Sequence, residues 1–157
     1  MVYSNRFNTL KKQKIMTERL TFRKLIKSDW NQVSKIYSEG LETGNATFET
    51  SIPNWNEWNK THLKDCRIIS EIDNKIVGWS ALSPVSSRCV YGGVAEVSVY
   101  VSPKFKGQKI GTKLLEKLII ESENIGIWTL QAGVFPENKG SIIIHKRHDF
   151  REIGFRE

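Results

Sequence analysis

The chain has 157 residues, of which 39% are hydrophobic, and a formal net charge of +7 at neutral pH. That length suits one domain with a true core and is too short for two. No apolar run approaches the roughly 20 residues of a membrane helix and no secretory hydrophobic segment opens the chain, so a soluble, cytoplasmic protein without a membrane partner is expected. Cys66 and Cys89 lie far apart with no CxxC or Cys/His spacing, which predicts buried free thiols and no metal.

The charge invites a nucleic-acid-binding reading, but its distribution argues against one. Arg6, Lys11, Lys12 and Lys14 fall within residues 1–15, where no acid occurs, so more than half of the excess sits in one short segment. Residues 1–15 show no helical or strand period and read as a disordered basic extension or a basic transit peptide. Residues 16–157, from Met16, read as a single domain. No aromatic and basic stripe marks that domain, and no nucleic-acid partner is expected.

Strand and helix signals then alternate. "RLTFRKL" reads as a strand; Ser28 and Asp29 cap a helix through "WNQVSKIYSEG" that Gly40 stops. "GNATFET" is irregular. "PNWNEWNKTHL" starts at Pro53 and Asn54 as a short helix with Trp55 and Trp58 on one packing face. "CRIISEI" and "IVGWSAL" form a hairpin around "DNK". "VAEVSVYV" is a strand that places Glu96, Ser98 and Tyr100 on one face and Val97, Val99 and Val101 on the other. Ile110, Leu114, Leu115, Leu118 and Ile119 make one apolar helical face, and "WTLQAGV" is a further strand. The pattern predicts a mixed α/β domain with an antiparallel front half and at least one crossover helix.

Between the "VAEVSVYV" strand and the next helix, the loop from Lys104 to Gly111 gathers lysines and backbone N–H groups where a helix begins, a setting that suits a pyrophosphate. Taken alone, it reads first as an ordinary strand-to-helix turn with solvated lysines.

The order of "IYSEGLETGNATFET", "GWSALSPVSSRCVYGGVAEVSVYVSP", "GIWTLQAGVFPEN" and "SIIIHKRHDFREIGFRE" makes the chain from about Leu20 to Glu157 resemble the GNAT acetyltransferase superfamily. The branch it resembles acetylates phosphinothricin, methionine sulfoximine and similar amino acids. The resemblance implies the GNAT fold, a mixed, mostly antiparallel central sheet with helices on both faces. It also implies acetyl-CoA as co-substrate. The pyrophosphate would lie at Lys106, Gly107, Gln108, Lys109, Ile110, Gly111 and Thr112, the pantetheine arm along Val99, Tyr100 and Val101, and further contacts would come from Asn138 and Ser141.

The same resemblance assigns Glu96 as general base and puts the oxyanion donor at a backbone N–H near Val99. It places His145 where many members carry a tyrosine that protonates the thiolate. Asn138 and Ser141 also read as helix capping residues, and an isolated glutamate or histidine would read as structural. A small amino-acid-like acceptor would lie between "GNATFET" and "SPVSSRCVY", with Arg88 on its carboxylate, Thr47 and Tyr91 adding hydrogen bonds and Phe48 as a wall.

Three departures from the family pattern stand out. Lys109 takes a position where glycine is usual, at a cost on the order of 1 kcal/mol if φ there is positive. Asp149 replaces a glycine that ends the last helix, a loss Asp tolerates better than most residues. The sequence also lacks the family's usual C-terminal strands, which flank the acceptor site and often a dimer interface. A homodimer is expected, and the alternative to an active enzyme is a CoA-binding protein without turnover.

Overall fold

A computed structural model describes residues 19–47 and 49–155. The expectations for residues 1–15, Met16 and Phe48 lie outside the described residues. Among the described residues five strands form one sheet in the order β1 (Leu20–Lys24), β2 (Ile68–Ile72), β3 (Lys75–Pro84), β4 (Val94–Val101) and β5 (Thr129–Gln131). Every pairing is antiparallel except β4 with β5. A parallel pair needs a crossover, and α3 (Ile110–Asn124) supplies it.

The β2–β3 hairpin turns on Asp73 and Asn74, with φ of 51° and 61°; two left-handed residues make the turn whose twist matches a two-residue hairpin. Next to it the ladder slips: Ser70 faces Gly78 and Glu71 faces Ile76, so Val77 is an extra residue. The bulge explains why Ile76 and Trp79 bury on one face while Val77 and Leu82 bury on the other.

Helices α1 (Trp30–Leu41) and α2 (Trp55–Thr61) accompany one face, where Val33, Ile36, Tyr37 and Trp58 close over Ile69, Ile76, Trp79 and Ala81. The other face takes Ile110, Leu114, Leu115 and Leu118 of α3, together with Ile144 next to α3 on α4 (Lys139–Lys146). Gly78 permits the approach of α3, because a Cβ there would lie 3.0 Å from Leu114 Cδ1 and 2.9 Å from the Tyr100 carbonyl oxygen. As its sequence predicts, α2 starts at Asn54, whose side chain accepts from Glu57 N–H while the Glu57 carboxylate accepts from Asn54 N–H. Arg67 donates to the carbonyls of Asn59, His62 and Leu63 at the other end of α2. Its guanidinium lies 4.9 Å from the Trp58 ring centre. No helix among the described residues is long and apolar enough to cross a membrane.

Several boundaries differ from the sequence reading. Asp29 precedes α1 but does not cap it; its carboxylate instead accepts both Arg23 Nη atoms, at 2.7 and 2.8 Å, and the Ile26 N–H. Gly40 lies inside α1, which ends at Leu41; what requires glycine there is the Tyr100 ring, 2.8 Å from where a Cβ would be. β5 has only three residues. Both cysteines are free, but Cys89 is exposed, whereas Cys66 is buried with its thiol pushed up to about 11 by burial.

Candidate active site

β4 organises the site. Its alternation is as predicted: Ala95, Val97, Val99 and Val101 join the α3-side core, and Glu96, Ser98 and Tyr100 face the opposite side. β5 accompanies it only from Val94 to Glu96, opposite Thr129 to Gln131, so Val97–Val101 has β3 on one side and no strand partner on the other among the described residues. Ser102 N–H donates to the Val77 carbonyl at 2.9 Å, in register with β3. By the two-residue alternation of an antiparallel ladder, the N–H groups of Val97, Val99 and Val101 therefore turn towards the side that β5 has left. A groove edged with unpaired main-chain donors and acceptors follows, and an extended amide chain is what such an edge pairs with.

Glu96 stands at the last paired rung and is partly exposed. Gln131 Nε2 donates to its Oε2 at 3.1 Å. A Cβ on Gly133 would lie 3.8 Å from its Oε1, so the chain leaving β5 passes beside the carboxylate. Gln131 went unnoticed in the sequence because nothing local shows which residue of a short strand faces Glu96.

At the other end of the exposed edge α3 begins. Lys109 precedes it with φ 61° and ψ 14°, a left-handed conformation in which the side chain makes no cap hydrogen bond. Gly107 is also left-handed, at φ 79°. The Lys109 carbonyl accepts from Lys113 N–H at 3.1 Å, the first bond of the helix, so the N–H groups of Ile110, Gly111 and Thr112 have no intrahelical acceptor. These uncapped donors, with the exposed lysines 104, 106 and 109, fit a pyrophosphate. Gly111 belongs to the first turn of α3 rather than to the loop, and a Cβ on it would meet Ile144 Cδ1 at 3.4 Å and Val101 Cγ2 at 3.6 Å.

α4 faces the same region. Asn138 caps it, its Oδ1 accepting from Ser141 N–H at 3.1 Å, and its Nδ2 donates to the Asn45 carbonyl at 3.4 Å. His145 is buried, with its ring edge-on to Phe150, centroids 4.9 Å apart. Its Nδ1 lies 2.8 Å from the Ser141 carbonyl, which can only accept, so Nδ1 carries the proton of the neutral ring. Nε2 is then a bare, buried acceptor with no partner among the described residues, and burial lowers the ring's pKa. In this form Nε2 has no proton to give and burial resists its gaining one, which bears directly on the expected donor role.

The acceptor-side candidates are less assembled. Thr47 Oγ1 accepts from Glu49 N–H at 3.1 Å in the turn after α1, and that turn touches Tyr100, whose hydroxyl donates to the Ala46 carbonyl at 3.5 Å. Arg88 and Tyr91 are exposed on the loop before β4. No hydrogen bond or ion pair among the described residues ties either side chain to Thr47 or Glu96.

Known proteins resemble this chain in sequence and in fold. The acetyltransferase (GNAT) family matches residues 30–150. YwnH of Bacillus subtilis is 30% identical over 100 residues, 62% of this chain and 61% of that protein, so the chain spans about three fifths of that relative's length. Phosphinothricin N-acetyltransferase of Alcaligenes faecalis is 30% identical over 141 residues, 85% of this chain and 71% of that protein. Among solved structures, yncA of Salmonella typhimurium with its cofactor acetyl-CoA superposes with a TM-score of 0.79 at 25% identity, covering 87% of this chain and 82% of that one. The chain belongs to the GNAT acetyltransferase family.

Proposed function

We propose that the protein transfers the acetyl group of acetyl-CoA directly to the amino group of a small amino-acid-like acceptor such as phosphinothricin or methionine sulfoximine. The observation that carries this reading is the departure of β5 from β4 at Glu96, which leaves an open main-chain edge ending at the uncapped start of α3. One continuous groove then offers the amide-pairing groups of Val99 and Val101, on either side of Tyr100, and anion-binding groups at residues 106–112. That sequence of chemistries matches an acyl-pantetheine pyrophosphate.

In the reaction the acceptor ammonium loses a proton, its nitrogen forms a bond to the thioester carbonyl carbon, the C–S bond breaks and the thiolate takes up a proton. Glu96 removes the ammonium proton, directly or through a water, with Gln131 holding one carboxylate oxygen and leaving the other free. The Val99 N–H, turned to the groove, stabilises the developing oxyanion. His145 serves the thiolate only after Nε2 has gained a proton, so its contribution grows as pH falls. Asn138 and Ser141 hold the start of α4 against the groove, and Thr47, Phe48, Arg88 and Tyr91 bind the acceptor.

One observation favours binding without turnover: the left-handed Lys109 puts a long side chain at the point where a phosphate must approach the backbone. Thiol release with acetyl-CoA and phosphinothricin, beside calorimetric titration of CoA, tests both readings. Binding with acceptor-dependent thiol release supports the enzyme, binding alone supports the inactive reading, and absence of binding defeats both.

A further inference from the structure

The main chain and the side chain of Tyr100 serve different partners. Its main chain pairs with Trp79 of β3 and sits between Val99 and Val101, whose N–H groups face the open edge of β4, while its ring projects from the opposite face towards α1. There it lies parallel to Trp79, centroids 4.7 Å apart and 13° from coplanar, and tilts against Tyr37 at 4.9 Å. Gly40 is its floor, and a Cβ at that position would stand 2.8 Å from both Cδ1 and Cε1 of the ring. A phenylalanine would fill this seat equally well, so packing does not require the hydroxyl.

The hydroxyl has its own partners. It leaves the aromatic cluster for the turn after α1, where it donates to the Ala46 carbonyl at 3.5 Å. Burial raises its pKa, so it stays an O–H donor at all working pH values. The same turn is held a second time by Asn138 Nδ2 on the Asn45 carbonyl. Both tethers originate on elements that border the groove, and both end on the segment that carries Thr47.

We infer that the Tyr100 side chain is a positioning residue that sets the acceptor loop, residues 43–47, against the strand receiving acetyl-CoA. This rests on the acetyltransferase reading for its consequence in catalysis, but its structural content can be read without turnover. Tyr100 thus ties cofactor strand and acceptor turn together, and the distance between the two substrates depends on it. Gly40 has a matching role, since any larger residue there moves the ring with its hydroxyl intact.

The test uses Tyr100→Phe and Gly40→Ala in the full chain, with three readouts: acceptor KM with phosphinothricin, acetyl-CoA Kd by calorimetry, and amide hydrogen exchange of peptides covering residues 41–49. For the loss of one hydrogen bond, acceptor KM should rise about tenfold while acetyl-CoA Kd moves less than about twofold. Exchange should quicken in the turn in both variants, with β3 and β4 unchanged. Wild-type KM and wild-type exchange in Tyr100→Phe would overturn the inference, as would a parallel loss of acetyl-CoA affinity. Should the wild-type protein not turn over phosphinothricin, exchange alone decides, so failure of the activity and failure of this inference remain distinct.

Discussion

Gln131 Nε2 donates to Glu96 Oε2 at 3.1 Å on the last rung that β4 and β5 share. The amide fixes one carboxylate oxygen where the strands part and leaves the other to the opening between them. Gln131→Leu keeps the size of the side chain and removes the donor. For a partly exposed hydrogen bond, kcat should fall by about two- to tenfold, with acetyl-CoA Kd unchanged in the same calorimetric titration. A variant with full kcat would show that Glu96 needs no such orientation.

Lys109 occupies a left-handed conformation at φ 61°, where a side chain costs on the order of 1 kcal/mol relative to glycine. Lys109→Gly should therefore raise the melting temperature of the free protein. It should also tighten acetyl-CoA binding if close approach of phosphate to the backbone outweighs the lost charge. Weaker binding in this variant would assign the larger part to the lysine's ammonium group.

The end of α4 makes a similar point. Phe150 N–H donates to the His145 carbonyl at 3.2 Å and Asp149 N–H to that of Lys146 at 3.3 Å, the bond pair of a helix end with a left-handed residue, here Asp149 at φ 62°. Asp149→Gly should leave stability equal or higher, whereas Asp149→Ala should cost about 1 kcal/mol. Thermal melts of the two variants decide, and equal melting temperatures would mean that the left-handed turn imposes no cost.

His62 lies flat on Trp58, centroids 4.2 Å apart, with Nδ1 2.9 Å from the Trp58 carbonyl. Burial, with Arg67 nearby, lowers its pKa to about 4, while its bond to the Trp58 carbonyl opposes the shift. A histidine whose folded pKa is depressed contributes full stability above its unfolded value, near 6.5, and that contribution drains away as pH falls towards 4. His145 acts in the same direction; Glu121, raised by burial, acts in the opposite one near the bottom of the window. Wild-type melting temperature should drop between pH 6.5 and 4, and that of His62→Phe, which keeps the stack, should drop less. Parallel slopes would remove His62 from the acid response.

The sequence was most legible where a local rule decides. The period of β4 placed Glu96 away from the aliphatic face, Pro53 and Asn54 marked the start of α2, and the apolar stripe of α3 named four of its buried residues correctly: Ile110, Leu114, Leu115 and Leu118. It was least legible where a distant residue decides. Gly40 looked like a stop because its true reason, the Tyr100 ring, lies on another element. Asp29 looked like a cap because its partner Arg23 is on the neighbouring strand. In the site, β5 register hid Gln131, and no local pattern reveals which nitrogen of His145 meets the Ser141 carbonyl.

The pH dependence of kcat for Glu96→Gln, with acetyl-CoA and phosphinothricin both saturating, tests the central claim most directly. Glutamine keeps the shape of the carboxylate but cannot accept the ammonium proton, so kcat near neutral pH should fall by roughly 10² to 10⁴-fold. The deficit should narrow at high pH, where the acceptor is already free amine. Near wild-type kcat at neutral pH, or a deficit that does not change with pH, would contradict the assignment of Glu96 as the base.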